Sequence, residues 1–363
     1  MKLGMIGLPN VGKSTLFNAI TKSSAEVANY PFCTIEPNIR SITVPDKRLD
    51  FLEKFYNSKK KTPSTIEFLD IAGLVKGASC GEGLGNQFLA TIKETNAVLH
   101  VVRCFEDKDI MHFMGKVNPL RDIETVNLEL IFADLEYISK KIEKLKKNKR
   151  SNLEKTSTEK EFVLKIKNHL DSGNPVRTLK LNNEEKTMLK ELSLITSKPV
   201  LYVCNVAEND LSTMGNEYTK IVKEFAKKET VQAVQICAKF EVEISKLLKI
   251  DQDSFLKDFT MQGIGSNFLI RKSYDLLGVE TFFTAGEKEV RAWTIRKGLS
   301  APKAASLVHS DFERGFIRAE IMNFDDLLRL GSEKAVKESG LLRSEGKEYL
   351  VRDGDIIEFR FNV

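Results

Sequence analysis

Apolar positions in the first part of the chain gather into short runs: Leu3 to Ile6, Thr65 to Leu69, Val98 to Val102, Val200 to Cys204 and Val234 to Cys237. Each is bounded by Gly, Asp, Asn or a charged segment. Unbroken runs of this length predict strands buried on both faces, and helical stretches between them predict a mostly parallel sheet covered on each side. Between the third and fourth runs the period changes. Leu128, Ile131, Leu135, Ile138, Ile142 and Leu145 alternate steps of three and four, a heptad seam. A polar stretch from Asn148 to Thr158 follows; Phe162, Ile166 and Leu170 then resume helical spacing, and Met188, Leu192 and Ile195 carry it to the next strand. The pattern predicts a helical coiled-coil hairpin over residues 121–198, inserted into an α/β domain of residues 1–120 and 199–279. From 280 to 363 the character is that of a small α+β domain. Val290 to Ile295 is a strand, and Ala304 to Val308 is a helix behind Pro302. Ile357, Phe359, Phe361 and Val363 alternate with polar residues, and Asp353-Gly354 predicts a hairpin turn between that strand and Tyr349 to Val351.

The strongest chemical signal lies at the end of the first strand. Gly7-Leu8-Pro9-Asn10-Val11-Gly12-Lys13-Ser14 fits G-x-x-x-x-G-K-[ST], between a strand and an amphipathic helix with Leu16, Phe17 and Ile20. Asn10, Val11, Gly12, Lys13, Ser14 and Thr15 are thereby candidate nucleotide contacts. The glycines let backbone N–H groups turn toward phosphates at a helix N-terminus, Lys13 reaches the β- and γ-phosphates, and the Ser14 hydroxyl ligates Mg²⁺. Asn10 leaves two readings open, a turn residue or a group that helps place a monovalent cation such as K⁺. Asp70-Ile71-Ala72-Gly73 closes the second strand as a D-x-x-G element, with Asp70 holding Mg²⁺ through water and the Gly73 amide sensing the γ-phosphate. Between the two, Tyr30-Pro31-Phe32-Cys33-Thr34 offers Thr34 as a second hydroxyl ligand of the metal. Gly77, Gly81, Gly83 and Gly85 mark a switch or a plain surface loop.

The choice of base rests on Asn205-Val206-Ala207-Glu208. Guanine-specific proteins of this class commonly carry N-K-x-D there, the Asp accepting from guanine N1–H and the 2-amino group. Adenine lacks that amino donor and its N1 is an acceptor, so a carboxylate aimed at that edge gains little. Asn205 is instead expected to pair with adenine, a backbone amide near Val206 to donate to N1, and Cys237-Ala238 to form the base-supporting loop. Buried groups left unpaired by the wrong base are an effective means of discrimination.

Composition narrows the setting. At 363 residues, 42% hydrophobic and 29% charged, the chain is ordinary for a folded protein of two or three domains. A net charge of +5 and a pI near 8.7 permit contact with a polyanion without requiring one. Seven Lys or Arg residues against one Glu between Lys140 and Arg150 are either a solvated helix face or a contact for the phosphates of a polyanion such as RNA. Five scattered cysteines without a C-x-x-C pair predict neither disulfides nor a zinc site. Cys33, with no basic neighbour, is expected to be an inert thiol. The opening residues leave no room for a signal-peptide core, and no apolar run spans a bilayer, so a cytoplasmic location is expected, with no membrane and no DNA partner.

Together the segments GLPNVGKS, YPFCTIEPN, DIAGLVKGA and N-x-x-E, with VRCF at 102–105, GEKEVRAWT at 286–294 and the ending GK-x-Y…DGD, resemble the YchF family, ATPases within the Obg-like GTPases. The resemblance covers essentially the whole chain. It implies an OBG-type G domain, a coiled-coil insertion and a C-terminal TGS domain of β-grasp type. It also implies hydrolysis of ATP in preference to GTP, Mg²⁺ as cofactor, and a ribosome partner (large subunit and 70S). Leu74 stands where Ras-like enzymes carry the water-orienting Gln; the resemblance points to a mobile histidine in the Asp107 to Gly115 segment, matched by His112, as a catalytic group in addition to Lys13, and a half-exposed surface histidine is the alternative. An Obg-type GTPase, or a nucleotide-gated adaptor with negligible turnover, are the competing readings.

Overall fold

The computed structural model describes residues 1–23, 38–71, 84–147, 153–213, 215–247 and 265–362. The chain divides into two compact units, one of Met1–Ser41 with Glu67–Leu269 and one of Ile42–Ile66 with Ile270–Val363.

The first unit is built on strands β1 (Lys2–Ile6), β2 (Ile39–Thr43), β4 (Thr65–Asp70), β5 (Ala97–Arg103), β6 (Val200–Asn205) and β7 (Gln232–Ile236), in the order β2-β4-β1-β5-β6-β7. All pairings from β4 to β7 are parallel. Every residue of β5 and β6 is buried, as expected where helices cover both faces. These helices include α1 (Lys13–Ser23), α3 (Leu84–Glu94), α7 (Glu217–Lys228) and α8 (Ala238–Ile244). Gly85, expected in a loop, lies in the first turn of α3.

The insertion is two long helices, α4 (Pro119–Lys147) and α5 (Leu153–Asp171), followed by α6 (Asn183–Leu192). Ile131, Ile138 and Ile142 pack against Phe162, Ile166, Leu170 and Leu192. The seam begins later than its heptads suggest: Leu128 is 42% exposed, because Ile123, Val126 and Leu130 turn the buried face at the start of α4. Helix α5 also begins inside the polar stretch assigned to the connection. The return to the sheet is fastened by Asp134, which accepts hydrogen bonds from the N–H groups of Ile195 (3.0 Å) and Thr196 (2.8 Å) and from the Thr196 hydroxyl (2.7 Å).

The second unit carries a mixed sheet of β3 (Lys61–Thr62), β8 (Val279–Thr284), β9 (Val290–Arg296), β10 (Phe316–Asn323), β11 (Arg343–Glu345) and β12 (Asp355–Phe361), in the order β11-β10-β12-β8-β9-β3. The helix Ala301–Val308 supplies Ala301, Ala304 and Ala305 to one apolar cluster. On another, Leu49 and Leu52 of α2 (Lys47–Phe55) meet Phe283, Val290 and Ile356. Residues 42–66 thus belong with the C-terminal unit, through α2 and the parallel pairing of β3 with β9, although the sequence reading had placed them in the N-terminal domain. The expected hairpin across Asp353-Gly354 does not form. Leu350 makes only an isolated bridge to Ser300, while β12 pairs antiparallel with β10 and parallel with β8. Gly354 still turns the chain, at φ +83°.

Under the first sheet lies a buried polar network. Arg177 pairs with Glu229 (3.0 Å) and donates to Asn127 Oδ1 (3.1 Å), and the Tyr202 hydroxyl donates to Glu229 (2.9 Å). His100 of β5 packs beside the Tyr202 ring, and burial, reinforced by the Arg177 charge, pushes its pKa down to about 3. The folded pKa is lowered, so the folded protein keeps this ring neutral while the unfolded chain takes up a proton below about 6.5. Stability is therefore expected to fall as pH drops through that range, by about 2 kcal/mol between pH 7 and 5 from this group alone. Urea unfolding of wild type and His100→Phe at both pH values checks it: the variant should lose that much less on acidification, and equal losses would remove His100 as a cause.

Candidate functional site

The phosphate loop leaves β1 at Gly7 and enters α1 at Lys13. Two close approaches shape it. A Cβ on Gly7 would lie 2.6 Å from the Val101 carbonyl oxygen of β5, and one on Gly12 would lie 2.2 Å from Asn205 Nδ2. Gly12 also has φ +88°, where side chains are strained, so neither position accepts a larger residue without moving the loop. Asn10 sits in the left-handed region at φ +61° and its Nδ2 donates to the Met111 carbonyl (3.2 Å).

Leu8 to Thr15, with Asn38 and Asp70, line a cavity of about 520 Å³. Within it the Lys13 ammonium and the Asp70 carboxylate form an ion pair, both largely buried. Ser14 and Thr15 present exposed side chains at the start of α1. A serine hydroxyl and a carboxylate on one wall are hard oxygen donors suited to Mg²⁺, which binds through few protein ligands and completes its shell with water and phosphate oxygens. Among the described residues no cluster of three His, Cys, Asp or Glu side chains is placed to hold a metal. Thr34, Gly73 and Cys33 lie outside the described residues.

Across the C-terminal ends of β5 and β6, Asn205 joins the loops. Its Nδ2 donates to the Val11 carbonyl (2.8 Å) and its Oδ1 accepts the Ala238 N–H (2.9 Å). Val11, Gly12, Asn205 and Ala238 are thus brought together, with Cys237 buried beside them, capping α8 and accepting the Phe240 N–H (3.5 Å). Burial pushes the Cys237 thiol pKa up. Two expectations change here. The Asn205 amide spends its first bonds on the two loops, and the N–H of Val206 itself is donated to the Ile236 carbonyl (2.9 Å) across the β6–β7 edge, which leaves the expected backbone donor to a neighbour of Val206. Glu208 stands exposed at the start of a short 3-10 turn.

His112 is not the half-exposed surface residue of the alternative reading. It is buried, with Nε2 2.8 Å from Asp122 Oδ2 and Nδ1 accepting the Met114 N–H (3.0 Å). Sequence reasoning passed over Asp122, which looks like any acidic residue in a helix's first turn, and Arg103, visible only as part of VRCF. Arg103 is almost wholly buried and donates to the carbonyls of Phe105 (3.2 Å) and Ile110 (3.0 Å). Burial lowers its pKa from the usual guanidinium value.

With this geometry in place, comparison with known proteins is informative. Residues 2–164 match a family model described as a 50S ribosome-binding GTPase, and residues 279–362 match the YchF-GTPase_C model, described as a protein of unknown function (DUF933). The chain is 51% identical over 361 residues to the ribosome-binding ATPase YchF of Bacillus subtilis, covering 99% of each chain. It is 48% identical over 362 residues to the protein of the same name from Escherichia coli O157:H7, covering 100% of this chain and 99% of that one. The solved structure of the Schizosaccharomyces pombe YchF GTPase superposes with a TM-score of 0.89 at 36% identity, covering 99% of this chain and 97% of that chain. A GTP-binding protein of Pyrococcus horikoshii OT3 shares the fold, with a TM-score of 0.61 at 19% identity and full coverage of both chains. Identity at this level over nearly the full length, on an α/β P-loop scaffold whose phosphate and base loops are tied through Asn205, means that the chain belongs to the YchF family.

Proposed function

We propose that this P-loop nucleoside triphosphatase hydrolyses ATP in preference to GTP and works in association with the ribosome. The observation that carries the base preference is Asn205-Val206-Ala207-Glu208, which has neither the Lys nor the Asp of a guanine pocket. Glu208 is exposed on a turn, not fixed within the buried Asn205 junction. The relatives named ribosome-binding ATPases support the same reading. A second reading, GTP hydrolysis, is favoured by the matching family model and the fission-yeast relative, both described as GTPases.

In the proposed reaction Lys13 exchanges Asp70 for the β- and γ-phosphate oxygens; the hydroxyls of Ser14 and Thr34 would ligate Mg²⁺, and the Asp70 carboxylate would hold it through water. Mg²⁺ supplies neutralisation of the charge developing on the phosphates. Backbone amides of residues 10–15 and the α1 N-terminus cradle the anion. Leu74 cannot orient water, and the resemblance to the YchF family assigns that task to His112. Among the described residues no helix is long and apolar enough to cross a membrane. The ribosomal partner, proposed as the large subunit and 70S particle, implies a cytoplasmic location. Lys144 and Lys146 are exposed near the end of α4, where rRNA phosphates would be met.

Calorimetric titration with ATP and GTP in Mg²⁺, with and without K⁺, tests the central claim. ATP should bind at least about tenfold more tightly, about 1.4 kcal/mol; equal or tighter GTP binding would overturn it, and K⁺-dependence would revive a cation role for Asn10. His112→Ala should slow single-turnover hydrolysis by about a hundredfold with ATP affinity unchanged, and wild-type rates would dismiss the residue. Changing Lys144, Lys146, Lys147 and Lys149 to Glu should abolish salt-sensitive co-sedimentation with ribosomes; undiminished binding would exclude the arm.

A further inference from the structure

His112 lies in a tight turn closed by the Gly115 N–H donating to its carbonyl (3.0 Å), with Gly115 at φ +85°. The two ring bonds assign the tautomer. An N–H can donate to Nδ1 only where that nitrogen carries no proton, so the proton of the neutral ring is on Nε2 and is given to Asp122. The side chains of His112 and Asp122 are each 4% exposed. With both nitrogens engaged and the ring covered, the imidazole cannot accept a bond from a water molecule in this arrangement.

The carboxylate that holds it is itself fixed. Asp122 stands in the first turn of α4, where the helix's partial positive charge favours an anion. Its second oxygen accepts from Arg121 (3.2 Å), which also donates to the carbonyls of Lys116 (2.6 Å) and Met114 (3.4 Å). The segment around the histidine is turned against its own polarity. Ile110, Met111 and Phe113 are 39%, 82% and 41% exposed while the imidazole between them is buried. A short stretch that hides its polar ring and shows its apolar neighbours is held by specific bonds, since apolar burial works against it. Asn10 ties the same stretch to the phosphate loop through the Met111 carbonyl.

We propose that Asp122 is a positioning residue that latches His112 in a stored orientation, so that release of the Nε2–Asp122 bond is a required step before the imidazole can orient the attacking water. The inference rests on the catalytic reading of His112 given above. It makes basal turnover a measure of how seldom the latch opens. A latch that keeps all but about a tenth of molecules stored costs about tenfold in rate.

The test uses the full chain and ATP. Asp122→Ala removes the acceptor; Asp122→Asn keeps an oxygen that can accept from Nε2 but loses the charge that strengthens the bond. Expected are a rise in kcat of about tenfold for Asp122→Ala and a smaller rise for Asp122→Asn. KM for ATP should be unchanged, and the His112→Ala/Asp122→Ala double variant no faster than His112→Ala alone. Long-range ¹H–¹⁵N spectra of the imidazoles should show His112 as the Nε2–H tautomer in wild type and as a tautomer mixture in Asp122→Ala. A kcat at or below wild type in folded Asp122→Ala and Asp122→Asn would overturn the proposal, as would averaged tautomers in wild type. If His112→Ala itself hydrolyses ATP at the wild-type rate, the catalytic reading falls and the link to turnover with it. The imidazole spectra still decide whether Asp122 holds the ring.

Discussion

The nucleotide site depends on one buried amide. Asn205 ends β6, yet its side chain reaches the Val11 carbonyl in the loop after β1 and the Ala238 N–H after β7. Strand β5 lies between β1 and β6, and it too is used: the Val101 carbonyl crowds Gly7, and Arg103 pairs in register with Asn205. The phosphate loop therefore rests on the ends of the next two strands. A buried amide that lost either partner would pay the full desolvation penalty of the group left unpaired. The absence of a Cβ at Gly12 is what lets the two chains approach this closely.

Much of this was legible from spacing. Continuous apolar runs became β1, β4, β5, β6 and β7, because strands buried on both faces need no alternation. The G-x-x-x-x-G-K-S motif falls at the strand-to-helix junction its chemistry requires. What escaped has physical reasons. Lys61–Thr62 is two residues long and polar, so its pairing with β9 leaves no periodic trace. Strand β10 carries exposed Ile317 and Arg318 next to buried Ala319, which blurs a two-residue period. Leu128 fits a heptad but loses its place in the seam, because near the sheet α4 packs through a different stripe. The role of Asn205 was read from the base outward, whereas its first obligations are to backbone groups that spacing cannot reveal.

The helical insertion is joined to the sheet by charges as well as by apolar packing. Arg177 follows α5 in the turn Val176–Thr178, and its guanidinium donates to Asn127 of α4 and to Glu229 and Tyr202 of the core unit. Burying an ion pair is costly unless each partner's remaining donors and acceptors are also met. Here the guanidinium has a carboxylate, an amide oxygen and a phenol, so the arrangement tolerates no half measures. Such a joint favours one seating of the insertion over others that a greasy contact would allow. None of its members is conspicuous in sequence, since each looks like an ordinary surface residue until the fold closes over it.

The same economy governs the segment after β5. Arg103 is buried among the carbonyls of Phe105, Asp107 and Ile110 and stacks over Phe105 at 4.6 Å, and among the described residues no carboxylate forms an ion pair with it. Among the described residues one of its nitrogens, Nη1, is buried without a hydrogen-bond partner. A guanidinium left in that condition is expensive, so its retention implies that the segment it gathers must be held in place. Asn10 holds it from the other side, and asparagine is suited to that post because it tolerates the left-handed backbone while offering an amide. Phosphate loop, base loop and histidine segment thus share one support at the ends of β5 and β6. A displacement of the phosphate loop by its ligand would be felt first at the Met111 carbonyl, one residue from the imidazole.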